Sequence, residues 1–172
     1  MKREELISLL EYQDDALASR AWYDISSSGD RDLLSMAAAH VGKLLAILSS
    51  NSLQSRCYAW ASAARLLEAG LISPDPLRQL KGFLLELLVK APSTGLKVMA
   101  WSTVPALLQR GVLSKDDVRP FSDAAWKTLD LASGDDKALM RSTVDRLLQL
   151  DAISRRSPFS SVRVLDSDTV IL

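Results

Sequence analysis

The tryptophans at positions 60 and 101 sit in register within an internal repeat, and that repeat constrains the fold more than any other feature of the chain. Laying residues 56–88 over 97–129, an offset of 41 (101 − 60), pairs Ala59 with Ala100, Trp60 with Trp101, Leu66 and Leu67 with Leu107 and Leu108, and Gly70 with Gly111. Ser73 then meets Ser114, Asp75 meets Asp116, and Arg78 meets Arg119. A further shift of 40 (147 − 107) lays Ser102–Gln109 over Ser142–Gln149, giving a third copy. Period and architecture are linked, because a unit of this size cannot bury its apolar face alone and must stack on its neighbours.

The apolar spacing inside each copy is helical. Leu77, Leu80, Leu84, Leu87 and Leu88 fall on one stripe, and Val118, Phe121, Ala125, Thr128 and Leu129 form the corresponding stripe one unit later. Gly70 and Gly111 stand where a helix ends in a left-handed residue. Ser73-Pro74 and Ser114 with Asp117 supply an N-cap with proline at the first position and a capping box. Each unit therefore reads as helix, turn of about four residues, helix.

Together these residues resemble the HEAT and armadillo family of helical repeats. Val104-Pro105-Ala106-Leu107-Leu108 is followed by Lys115-Asp116-Asp117-Val118-Arg119 and Ala124-Ala125, which is similar to the HEAT pattern of a proline in the first helix, an acidic turn and a Val-Arg pair opening the second. Asp75-Pro76-Leu77-Arg78 resembles the same turn one unit earlier, although Ala64 replaces the proline there and Asp145 replaces it in the last copy. The resemblance covers residues 52–154. It implies an all-α fold, a short right-handed α-solenoid of antiparallel helix pairs with about seven helices, in which Arg78 and Arg119 tie neighbouring units together through acidic partners.

On that reading residues 1–154 form one repeat domain. Residues 1–50 make an N-terminal cap pair with helices near 2–25 and 31–49, then come repeats at 52–91 and 93–132 and a C-terminal helix at 135–154. Residues 155–172 differ in kind: after Arg155-Arg156-Ser157-Pro158 the β-branched stretches Val162–Leu165 and Thr169–Leu172 predict an extended or hairpin-like tail. Such a tail can add as a strand to a partner or join two copies of the chain, or it can remain an unstructured end.

Composition removes several function classes. With 48% hydrophobic and 24% charged residues the chain belongs to the folded class. Its 21 basic residues balance 21 acidic ones, so it has no net charge with which to attract nucleic acid or anionic lipid, and nucleic acid is not the expected partner. The acidic residues Glu4, Glu5 and Glu11 break up the first segment, and no stretch approaches the ~20 apolar residues of a membrane span. Cys57, the single cysteine, precludes an internal disulfide and points to a reducing compartment, the cytoplasm.

No residue set carries obvious chemistry. The single histidine, His40, lies in an apolar helical stretch and reads as structural, as Cys57 does. No Cys, His or carboxylate cluster has zinc spacing, and Gly42-Lys43 lacks the upstream glycine of a phosphate loop. The pairs Asp116-Asp117 and Asp135-Asp136 fall at predicted helix starts, where negative charge favours the helix dipole; Asp14-Asp15 is a third such pair. No enzyme, metal or cofactor is expected.

The expected function is protein binding or scaffolding on a solenoid surface. Trp60 and Trp101 read as packing between first helices, along with the repeat residues Gly70, Arg78, Pro105 and Gly111. Trp126 lies off its helix's apolar stripe, on the second helix of its unit, where it is either a partner anchor or edge-of-core packing. With Gly82, Glu86, Arg119, Asp123 and Lys127 it makes a candidate partner-binding set on the second-helix face. Residues 51–110 hold seven basic and three acidic groups, which suits an acidic protein partner. Two other functions fit a chain of this kind: a nucleic-acid-binding, DNA-glycosylase-like HEAT protein, or a small self-assembling or toxin-neutralising solenoid.

Overall fold

A computed structural model describes residues 2–156, and every regular element among them is helical. Met1 and residues 157–172, with the expected strand-like tail and its role in joining copies, lie outside the described residues. The α-helices are α1 (Arg3–Leu9), α2 (Asp15–Ser27), α3 (Arg31–Ala38), α4 (Val41–Ile47), α5 (Leu53–Glu68), α6 (Asp75–Lys90), α7 (Thr94–Gln109), α8 (Lys115–Val118), α9 (Ser122–Leu131) and α10 (Gly134–Gln149). A single 3₁₀ turn, Arg119–Phe121, joins α8 to α9.

That makes ten α-helical segments, where the sequence pattern predicts about seven helices. The difference has local causes. Asp14, read as one half of a carboxylate pair, turns its side chain to accept from the Ala16 N–H at 2.9 Å and starts α2 afresh, so the helix expected over 2–25 is two. The helix expected over 31–49 breaks at Ala39-His40, just before Gly42, a weak helix former in the first turn of α4. Pro120 has no N–H and its ring crowds the preceding turn, so the stripe from Val118 to Leu129 passes through a 3₁₀ turn rather than one continuous helix. Pro105 does not do this: α7 runs through it unbroken.

Four helices form the backbone of the packing. α2 packs against α5, α5 against α7, and α7 against α10, while α6 and α9 each contact α7 and one another. Trp22, Trp60 and Trp101 fill the space between them and are fully buried. Each stands eight residues beyond its helix's N-cap, at Asp14, Ser52 and Ser93. The same position in α10, counted from its N-cap Ser133, is Arg141, which is exposed. α10 buries Met140, Thr143, Val144 and Leu147 on one side and turns Arg141, Ser142, Asp145, Arg146 and Gln149 outward. A terminal helix with no described neighbour on its outer side needs such a polar face.

The ends of α5, α7 and α10 share one geometry. Gly70 and Gly111 take positive φ (75° and 79°), with the Leu71 N–H donating to the Leu66 carbonyl at 2.9 Å and Val112 to Leu107 at 2.8 Å. The third copy closes in the same way, Ala152 donating to Leu147 at 2.9 Å, but its left-handed residue is Asp151 (φ 56°). Aspartate tolerates that conformation better than most side chains. Cys57 lies in the core on α5, and burial pushes its thiol up to about 12, so it stays protonated and unreactive at neutral pH.

Candidate functional site

The second-helix face is built by α6, α8, the 3₁₀ turn and α9, and its residues fall into two groups. Gly82 is exposed on α6, and a Cβ added there would meet nothing within 4 Å. Asp123 and Lys127 are exposed on α9. These three are open to a partner.

Glu86, Arg119 and Trp126 are engaged within the chain instead. The Glu86 carboxylate accepts from Arg56 Nη1 at 2.7 Å, and that hydrogen bond holds its pKa below the usual carboxylate range. The Arg56 side chain is only 5% exposed. Its Nε donates to the Ser50 carbonyl at 2.9 Å, and its guanidinium lies 5.2 Å from the centre of the Phe83 ring. Glu86 is thus the counter-ion of a buried arginine.

Arg119 reaches forward into the next unit. Its Nη2 donates to the Asp151 carbonyl at 2.8 Å and to the Asp151 carboxylate at 2.9 Å. Arg78, its equivalent one unit earlier, donates from Nε to the Gly111 carbonyl at 2.7 Å. The acid beside Arg78 is Asp75 of its own helix, so the carboxylate tie that the family resemblance implies reaches the next unit at Arg119, whereas at Arg78 the acceptor there is a backbone carbonyl. Both arginines grip the left-handed residue that ends the following first helix. A second tie runs alongside: Lys81 Nζ lies 2.9 Å from the Asp117 carboxylate. Burial opposes the charge on Asp117, but the Ser114 N–H and Lys81 outweigh it and hold the carboxyl below its usual range.

Trp126 is half-buried under the segment that follows α10. Its Nε1 donates to the Ser154 carbonyl at 2.9 Å, and the Arg156 guanidinium sits 5.3 Å from the ring centre while pairing with Asp130. A cleft of about 520 Å³ lies beside it, walled by Arg119, Trp126, Leu148, Asp151, Ile153 and Arg155. The wheel position of Trp126 is legible from sequence. The return of residues 151–156 across its ring is not, because nothing local to α9 encodes it.

His40 Nδ1 lies 3.0 Å from a Glu11 carboxylate oxygen, and among the described residues no serine or cysteine side chain is hydrogen-bonded to either group. Among the described residues no group of three or more His, Cys, Asp or Glu side chains is placed to hold a metal ion. Nor is any described helix long and apolar enough to cross a membrane. No family model matches the chain, and no curated protein or solved structure matches it either.

Proposed function

We propose that this chain is a short α-solenoid of antiparallel helix pairs, similar to the HEAT and armadillo repeats, and that it is a non-enzymatic protein-binding module. The observation that carries this reading is the repeated junction: Arg78 on Gly111 and Arg119 on Asp151 are equivalent donors on equivalent acceptors at successive steps of the chain. A device used twice in register is what a stack of like units requires, and stacked units present one continuous rigid face to a partner. A cytoplasmic setting goes with it, supported by the free, buried Cys57.

The face we assign to the partner carries Gly82, Asp123 and Lys127. Gly82→Arg tests it, because the site is helical and open and the substitution replaces a poor helix former. Its unfolding free energy is expected to rise by about 0.5–1 kcal/mol relative to wild type. A protein captured from native lysate by the wild type, and identified, is expected to bind this variant at least tenfold more weakly. Equal affinity for both forms would overturn the choice of face. Absence of any specific partner would overturn the module itself.

A further inference from the structure

A second surface runs along the C-terminal ends of α2, α5, α7 and α10. Arg65, in the last turn of α5, donates from Nη1 to the hydroxyls of Ser26 and Ser27 at the end of α2, at 3.2 and 2.6 Å. Arg110, just past α7, donates to the Glu68 carbonyl at the end of α5 at 3.1 Å. Arg146, in the last turn of α10, donates to the Gln109 side-chain oxygen at the end of α7 at 2.8 Å. Each arginine thus reaches back one helix along the row, and they stand in order along it.

What distinguishes these three is their acceptors. Hydroxyls, a backbone carbonyl and a side-chain amide orient a guanidinium without neutralising it, and among the described residues none of the three makes an ion pair. The helix ends beneath them contribute only partial negative charge, about half an electron each. Of the carboxylates on these helices, Asp15 pairs with Lys43 and Asp24 with Arg20, while among the described residues Glu68, Asp135, Asp136 and Asp145 form no ion pair with any of the three arginines. By contrast Arg3, Arg20, Arg56, Arg78, Arg119 and Arg156 all have carboxylate partners.

At one end the strip is pre-organised. The Arg65 guanidinium lies 4.9 Å from the Tyr23 ring centre, and Tyr23 meets Tyr58 edge-on at 5.0 Å. Arg20 stands 5.2 Å from the Tyr58 ring and donates to its hydroxyl at 3.1 Å. Guanidiniums fixed on ring faces lose less freedom when they bind an anion, and their fork geometry suits carboxylates.

We infer that the strip of Arg65, Arg110 and Arg146 binds an acidic, extended segment of a partner protein. Neighbouring helices pack about 8–10 Å apart, so the guanidiniums recur at roughly that interval. An extended chain in the polyproline II conformation has three residues per turn and rises about 3.1 Å per residue, so carboxylates at every third residue lie on one face about 9 Å apart and match the strip. Nucleic acid is drawn by summed positive charge rather than by this interval, and the chain's 21 basic residues are balanced by 21 acidic ones. The inference rests on these hydrogen bonds and not on the second-helix face, so either stands or falls without the other.

The test is a fluorescence-anisotropy titration of the full chain at low salt with a labelled synthetic peptide carrying glutamate at every third residue. A peptide of the same composition with its glutamates clustered, and an unstructured oligodeoxynucleotide, are the competitors. The spaced peptide is expected to bind at least tenfold tighter than the clustered one, and the R65Q/R110Q/R146Q variant to lose at least tenfold in affinity. R141Q removes one charge five residues before Arg146 on α10, about 7.5 Å along the helix axis and roughly 140° around it, and is expected to change affinity less than twofold. R146Q alone, which gives up one side-chain contact on the surface, serves if the triple variant does not fold, and is expected to lose at least threefold. Equal binding of the two peptides, an R141Q loss equal to that of R146Q, or tighter binding of the oligonucleotide would overturn the inference.

Discussion

Trp101→Ala is expected to destabilise the protein by about 3–5 kcal/mol in urea unfolding, a large fraction of the stability of any domain this size. Trp101 is fully buried on α7, the helix that contacts α5, α6, α9 and α10, so the cavity opens where the packing has least freedom to collapse. Phenylalanine separates packing from hydrogen bonding. Trp60 Nε1 donates to the Leu48 carbonyl at 3.0 Å, whereas Trp101 Nε1 is buried without a partner among the described residues. Trp60→Phe strands a carbonyl and is expected to cost about 1–3 kcal/mol more than Trp101→Phe, which removes an unsatisfied donor. Equal costs for the two would mean that the Leu48 hydrogen bond contributes nothing.

The second large effect is expected at Arg56. Arg56→Ala leaves the Ser50 carbonyl without its donor, removes the stacking on Phe83 and frees Glu86, for a loss on the order of 3 kcal/mol. The same site gives a pH signature. The folded pKa of Glu86 lies below its unfolded value, so its contribution is complete above the ordinary carboxylate range near 4.5 and is lost as pH falls through the lower folded value. Asp15, whose carboxylate accepts from Lys43, and Asp117 behave alike. Wild-type stability is therefore expected to fall on acidification below about pH 4.5, with Glu86→Gln falling less steeply. A profile for Glu86→Gln parallel to wild type would rule out the Arg56–Glu86 pair as a source of acid sensitivity.

The second and third units were readable because Trp60 and Trp101, Gly70 and Gly111, and Arg78 and Arg119 recur at one offset, and each residue type has a reason to recur: core filling, a left-handed helix end, a tie between units. The N-terminal unit repeats the same Ala-Trp pair at Ala21-Trp22, but 38 residues before Ala59-Trp60, so an alignment at 41 passes over it. Its helix start was visible only as a carboxylate pair, Asp14-Asp15. At the other end Asp151 does the work of Gly70 and Gly111, and a search for glycine misses the third cap.

The candidate site was less legible. A helical wheel places Gly82, Glu86, Trp126 and Lys127 on one outward face, which says nothing of what other segments lay across it. Arg56 reaches Glu86 from 30 positions earlier and Ser154 reaches Trp126 from 28 later, contacts set by how elements pack and not by local pattern. The arginine strip escaped for a related reason. Arg65 and Arg146 hold the same place in their units, but Ala106 stands there in the unit between and Arg110 lies four residues further on, so the offset alone does not line the three up; the packing of α2, α5, α7 and α10 brings them to one edge.

The most direct test of the proposed stack is the distance between its ends. With cysteines at Leu17 on α2 and Ala138 on α10, both exposed, paired nitroxides can be measured by pulsed electron spin resonance, and the buried, protonated Cys57 need not be replaced. Three steps of about 8–10 Å along the row α2, α5, α7, α10 predict a single population centred roughly 25–30 Å apart. A distance under about 15 Å, one helix diameter or so, would put α2 against α10 in a closed bundle and contradict the open row.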